Sequence, residues 1–238
     1  MKKLFIFFYF FSFSNLYALE IKLEKIIDGM DKPWSLSFID QENIIYTEKS
    51  GKLFLLNLKN KNKIEIQHNL SVLEDGQGGL LDVIFHKGEI YISYSENRGK
   101  GKTSTSVAKA RYDNKKLQFK NIFRAEPPID SGYHFGSRLV IKNKHLYITA
   151  GERGQGMIAQ DASKHPGSII RINLDGSIPK DNPKFKGKKN WLPEIYQIGL
   201  RNPQGMSLSP FDKKIYLTNH GAKGGDWFGT ANFGENYG

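Results

Sequence analysis

Short runs of β-branched and aromatic residues recur along the chain: Ile44-Ile45-Tyr46-Thr47, Ile90-Tyr91-Ile92-Ser93, Leu146-Tyr147-Ile148-Thr149 and Ile215-Tyr216-Leu217-Thr218. Small polar loops follow them, such as Glu48-Lys49-Ser50-Gly51, Ala150-Gly151-Glu152-Arg153 and Asn219-His220-Gly221. An apolar segment precedes each run, over residues 34–38, 80–85, 137–141 and 205–209, and a third strand often follows, over 52–58, 106–112 and 168–173. The alternation of Leu53, Leu55 and Asn57, and of Ile170, Ile172 and Leu174, suits strands with one covered face. Helical periodicity is almost absent, and Gly and Pro punctuate the chain too often for long helices. The pattern predicts an all-β protein, a β-propeller of four-stranded blades with about four blades in this chain. Sandwiches and other barrels do not explain repeats with this internal order. In a radial repeat, corresponding strands deliver their following loops to the same end of the molecule, so the polar clusters are expected to gather there.

The first residues read differently. Lys2 and Lys3 precede an apolar stretch over residues 4–13, and Leu16-Tyr17-Ala18 ends on a small residue. That order predicts a secretory signal over residues 1–18, with the propeller domain over 19–238 and a periplasmic or secreted location. The apolar run is short for a span of about 20 residues, so no stable membrane insertion is expected after signal removal. The last residues, 232–238, stop inside an expected loop, which suggests a chain incomplete at its C-terminus. No cysteine is present, so disulfides, thiolate catalysis, iron–sulfur clusters and covalent c-type haem are excluded for these residues. The net charge of +11 raises the question of nucleic acid. The lysines, however, are dispersed over 59–63, 100–102, 115–116 and 184–189, between strand signals, with no base-stacking motif. Solvated loop tips explain them, and no nucleic-acid partner is expected.

Four polar clusters carry the chemistry: residues 75–79 (Asp-Gly-Gln-Gly-Gly), 133–138 (Tyr-His-Phe-Gly-Ser-Arg), 199–205 (Gly-Leu-Arg-Asn-Pro-Gln-Gly) and 220–226 (His-Gly-Ala-Lys-Gly-Gly-Asp). The first three come just before the leading strand of a repeat and the fourth follows a repeated strand. Their glycines permit close backbone approach to a ligand. An imidazole takes a proton near neutral pH, and a guanidinium holds an anion or polarises a carbonyl oxygen.

These clusters, with the string Asn173-Leu174-Asp175-Gly176-Ser177-Ile178-Pro179-Lys180-Asp181-Asn182-Pro183 and the terminal Asn236-Tyr237-Gly238, resemble the soluble quinoprotein aldose sugar dehydrogenases of the glucose/sorbosone dehydrogenase family. The resemblance runs from about residue 34 to 238. It implies a six-bladed propeller in the whole protein, with pyrroloquinoline quinone and Ca²⁺ as cofactors, an aldose as substrate and an external electron acceptor as partner. On this resemblance His134 matches the base that takes the sugar C1 hydroxyl proton, and Glu152 the acid that orients it. Arg201 and Asn202 match the pair that contacts the quinone, and Gln77 an amide near it. A further cofactor amide falls on Gln155 or Gln160, and the backbone oxygens of Gly221 and Ala222 match calcium ligands. Tyr133 departs from relatives with an acidic residue beside the base, and Ala222 replaces a proline.

Simpler readings compete. His68, His86, His145 and His165 read as structural or exposed, Arg138 as an ion-pair residue, Trp34 and Trp191 as packing aromatics. Arg201-Asn202 could cap a turn before Pro203, and a Gly-Gly-Asp turn explains Asp226 as well as metal binding does. The competing functions are a propeller that only binds carbohydrate or protein, and a metal-dependent lactonase, for which the chain offers no convincing set of carboxylates and amides.

Overall fold

The computed structural model describes residues 21–184 and 190–238; the expected signal segment lies outside them. The first blade comprises β1 (Pro33–Phe38), β2 (Asn43–Glu48), β3 (Leu53–Asn57) and β4 (Lys63–Glu65). After β5 (Gln67–His68), the second contains β6 (Leu80–His86), β7 (Glu89–Asn97), β8 (Thr103–Arg111) and β10 (Lys120–Arg124), with β9 (Lys116–Leu117) pairing parallel to β5. The third is β11 (Gly136–Lys142), β12 (His145–Ala150), β13 (Ser168–Asn173) and β14 (Ile195–Ile198). The fourth shows three strands among the described residues: β15 (Gly205–Leu208), β16 (Ile215–Asn219) and β17 (Trp227–Thr230). Each blade is antiparallel in chain order, and the leading strands β1, β6, β11 and β15 pack successively against one another. The expected propeller of four-stranded blades is what forms. The one helical element among the described residues is a 3-10 turn, Gly156–Gln160.

The core is a series of layers between blades. Ile45, Leu53 and Ile66 of the first blade and its link meet Leu80, Val83, Ile90 and Ile92 of the second. Tyr91 and Val107 then pack on Leu139, Leu146 and Ile148, and Val140, Tyr147 and Ile169 on Met206 and Leu217. Strand residues of both faces are therefore apolar, which is why the repeated runs read as nearly continuous rather than alternating.

The fourth residue of each repeated run has a more particular task. In the first three blades the leading strand opens with a bulge, between Pro33 and Ser35, Leu80 and Val83, and Gly136 and Leu139. A bulge takes an amide out of the strand ladder. The hydroxyls of Thr47, Ser93 and Thr149 accept from the displaced N–H groups of Ser35, Asp82 and Arg138, at 3.2, 2.9 and 2.9 Å. Each hydroxyl donates its own proton to the following blade: Thr47 to Leu81 O at 2.6 Å, Ser93 to Ser137 O at 2.6 Å and Thr149 to Pro203 O at 2.8 Å.

The three bulge residues also meet one another. Ser35 Oγ donates to Asp82 Oδ1 at 2.5 Å, and Arg138 Nη1 donates to the same oxygen at 2.9 Å. Asp82 Oδ2 accepts Leu139 N at 2.7 Å, while Arg138 Nε reaches Gln204 O at 3.0 Å, next to the fourth blade. The guanidinium lies 4.3 Å from the Trp34 ring centre. Arg138 is thus the ion-pair residue expected, and Trp34 its packing partner.

Two expectations need correction. Lys63, expected in a solvated loop tip, lies in β4 with its ammonium 4.0 Å from the Phe54 ring centre and 3.5 Å from Glu48 Oε1. The outermost strands β4 and β10 escape the sequence reading because they are short and half exposed, so neither face demands apolar residues; β14 is mostly buried but only four residues long, with Gln197 interrupting its apolar run. His68, His145 and His165 do take structural hydrogen bonds, to Gly51 O, Asn173 Oδ1 and Glu194 Oε1.

Removing the central carboxylate by Asp82→Ala leaves a guanidinium and two N–H groups without their acceptor, and should cost about 3–5 kcal/mol in urea unfolding. Thr149→Val, which keeps shape but deletes the hydroxyl, should cost about 1–3 kcal/mol. Stability should also fall in acid through Glu96. Burial pushes its carboxyl up, but hydrogen bonds from Arg124 and Ser106 and the charges of Arg124 and Arg98 outweigh this and hold it below its ordinary 4.5. Its contribution is therefore present above the unfolded value and lost as pH falls through the folded one. Unfolding of Glu96→Gln should depend less on pH below 4.5 than that of the native chain.

Candidate active site

In an antiparallel blade, the link entering the leading strand and the link leaving the second strand lie at the same end. Gln77, His134 and Arg201-Asn202 precede β6, β11 and β15; Glu152 follows β12 and Gly221 follows β16. The sequence clusters therefore converge, although they come from links leading into three different blades and from links within two of them.

His134 and Glu152 form the centre. His134 Nδ1 lies 2.5 Å from Glu152 Oε1. A carboxylate only accepts, so Nδ1 carries the proton and Nε2 remains the basic nitrogen. Glu152 is buried; its Oε2 accepts Gly156 N at 3.0 Å, and its backbone N–H donates to Arg201 O at 2.8 Å. Arg201 Nε stands 3.9 Å from Glu152 Oε1, so one carboxylate faces both the imidazole and the guanidinium. Arg201 Nη1 donates to His220 O at 3.1 Å and Gly221 O at 3.0 Å. His134, Arg201 and Gly221 consequently open onto one region.

The amides serve the backbone around His134. Gln77 Oε1 accepts His134 N at 2.9 Å and Asn202 Nδ2 at 3.3 Å, and Asn202 Oδ1 accepts Gly136 N at 3.1 Å. Gln77 and Asn202, assigned to the cofactor by resemblance, here hold the His134 loop from two neighbouring links. His134 itself has φ 50°, a left-handed conformation unusual for a residue with a side chain. Such a backbone persists only where its surroundings determine it. Gly151 is needed for the same reason, since a Cβ there would lie 2.1 Å from His134 O.

Beside these groups is a pocket of 460 Å³ lined by Glu152, Met157, Gln160, Leu200, Arg201 and Ala222 with neighbouring backbone. Apolar walls with a few convergent polar groups suit a flat organic ligand. Gln160 lines it and pairs with Asn236, at 3.0 and 2.6 Å, whereas Gln155 is exposed at the start of the 3-10 turn and is not in the lining. Main-chain oxygens are the right donors for a hard cation. Two of them are already engaged, however: Gly221 O by Arg201, and Ala222 O by Gly225 N at 3.1 Å. Asp226 Oδ1 accepts Gly221 N at 2.9 Å and so closes this turn.

Comparison with known proteins bears on this arrangement. The profile of the glucose/sorbosone dehydrogenase family matches residues 30–238. The chain belongs to the glucose/sorbosone dehydrogenase family. It is similar to the aldose sugar dehydrogenase YliI of Escherichia coli (strain K12), 36% identical over 228 residues, covering 92% of this chain and 61% of the relative. It is 29% identical over 248 residues to quinoprotein glucose dehydrogenase B of Acinetobacter calcoaceticus, covering 90% of this chain and 51% of that protein. The crystal structure of the soluble aldose sugar dehydrogenase from Escherichia coli in the apo-form superposes with a TM-score of 0.85 at 35% identity, over 90% of this chain and 65% of that one. The chain thus spans between about half and two-thirds of the length of these relatives.

Sequence reading missed Arg153, which follows Glu152 and is buried against the His134 loop. The signal was there as a charged residue inside a Gly-Glu-Arg-Gly string, where an exposed turn and a buried brace look alike. Gly151→Ala should give a folded protein, by circular dichroism, in which backbone amides over residues 131–136 exchange faster than in the native chain. Unchanged exchange there would mean that the close approach of Gly151 is not what seats His134.

Proposed function

We propose that this chain is the base- and cofactor-bearing part of an exported quinoprotein oxidoreductase that oxidises the C1 hydroxyl of aldose sugars to the lactone, with pyrroloquinoline quinone as hydride acceptor. The observation that carries this reading is the single buried carboxylate of Glu152, placed between the His134 imidazole and the Arg201 guanidinium. It is supported by family membership and by relatives named as an aldose sugar dehydrogenase and a quinoprotein glucose dehydrogenase.

Each residue has a defined task. His134 Nε2 takes the C1 hydroxyl proton, because Glu152 holds Nδ1 as a donor and stabilises the imidazolium that forms. Arg201 binds an anionic or carbonyl oxygen of the cofactor and places it beside the base. Gln160, Met157 and Leu200 form the wall against which a flat ring rests. The quinone, when bound, supplies the two-electron acceptor. The donor set fits it: a guanidinium, an amide and an apolar wall in one pocket. Calcium is part of the proposal through Gly221 O and Ala222 O, and cation and guanidinium compete for the former. An external electron acceptor is part of the proposal as the resemblance implies it; residues 1–238 themselves contain no cysteine to hold covalent haem. Export to the periplasm or medium rests on the order of residues 1–18.

A metal-dependent lactonase would need carboxylate and amide side chains converging on one ion. Among the described residues no cluster of three or more His, Cys, Asp or Glu is placed to do this.

The test is titration of the purified chain with pyrroloquinoline quinone and Ca²⁺, followed by dye reduction with several aldoses. Quinone binding and turnover are expected; His134→Ala should lower kcat about 10²–10⁴-fold with quinone binding retained, and Arg201→Ala should weaken quinone binding itself. Folded protein that binds no quinone would instead favour a propeller that only binds carbohydrate or protein. Ca²⁺ should bind more tightly with quinone present than alone, by calorimetry, because Arg201 then has another oxygen to bond.

A further inference from the structure

Arg153 is 2% exposed, and among the described residues no carboxylate lies within ion-pair distance of it. A buried guanidinium is expensive unless its donors are satisfied. Here the acceptors belong almost wholly to backbone. Nε donates to Tyr133 O at 2.9 Å, Nη1 to Thr103 O at 3.1 Å, and Nη2 to Thr103 Oγ1 at 2.7 Å and to Ser131 O. The guanidinium carbon lies 3.6 Å from the centre of the buried Phe135 ring. Burial pushes the group down to about 10, against the charges of Asp75 and Glu152, so it stays cationic at neutral pH.

The peptide unit between Tyr133 and His134 is therefore gripped from both sides. Its oxygen accepts Arg153 Nε, and its N–H donates to Gln77 Oε1, each at 2.9 Å. That peptide leads directly into the left-handed His134, while Thr103 anchors the other end of the guanidinium to the start of β8. We propose that Arg153 is a positioning residue for His134: its planar fork fixes the Tyr133–His134 peptide, and through it the imidazole's bond to Glu152. The proposal rests on His134 as the proton-accepting base. Lysine cannot replace the fork, because one ammonium has neither its plane nor its span of donors.

The test reads the bond itself, on the full chain without quinone. A short imidazole N–H to carboxylate bond gives a low-field proton resonance, assigned by its loss in His134→Ala. Arg153→Lys and Arg153→Met should lose or broaden it. Arg171→Lys, a buried arginine of β13 bonded to Asp181 and Asn182, should keep it and serves as a control for general loss of stability. With quinone and sugar, Arg153→Lys should lower kcat about 10- to 100-fold while KM changes little. A folded Arg153→Lys with native resonance and kcat overturns the proposal. Should Arg153→Lys not fold, Thr103→Val removes a single acceptor and should broaden the resonance and speed amide exchange over residues 131–136; no change in either overturns it equally. If the native chain reduces no dye, the enzyme reading fails, yet the resonance still decides whether Arg153 seats His134.

Discussion

The structure hangs on a half-buried polar knot, centred on the buried Asp82, where three equivalent bulge residues, Ser35, Asp82 and Arg138, bond to one another across three blades. A carboxylate 3% exposed is tolerated there because it accepts from a hydroxyl, a guanidinium and the amides of Val83 and Leu139. The hydroxyls of Thr47, Ser93 and Thr149 complete the arrangement by taking the amide displaced at each bulge and giving a proton to the next blade. Apolar layers supply most of the cohesion between sheets, but such layers are non-directional and let sheets slide. Hydrogen bonds with defined donors and acceptors set the angle at which each sheet meets the next.

That angle decides the chemistry. The links carrying Gln77, His134, Glu152 and Arg201 are short-range neighbours only because the leading strands are stacked around a common centre. His134 then inherits its rigidity from the scaffold. Its amide is held by Gln77, its carbonyl leaves room only for a glycine at 151, and its ring is held by Glu152. Preorganised groups of this kind need little rearrangement when charge develops on them.

Most of the fold was legible in the chain. Repeated runs ending in Thr or Ser identified the second strand of every blade, and the segments before them identified the leading strands. Strands such as β4 were illegible because a half-exposed edge places no apolar demand on Lys63 or Glu65. The site was legible as residue types: an imidazole in a glycine cluster, a carboxylate after a strand, a guanidinium before a proline. That Gln77 and Asn202 hold the His134 loop was not, since an amide that holds a loop leaves the same letter in the sequence as one that does not. Arg153 was passed over for the same reason, as a charge next to glycine suggests solvent.

By itself the sequence determined an all-β repeat and the places where polar chemistry is concentrated, because strand periodicity and turn residues act between near neighbours. Only the tertiary structure decided which atoms meet. His134 finds Glu152 and Gln77 at separations of 18 and 57 residues, and Gly136 finds Asn202 at 66. Such pairings depend on how whole sheets stack, a collective result of packing and of hydrogen bonds between blades, so no local pattern of residues encodes them.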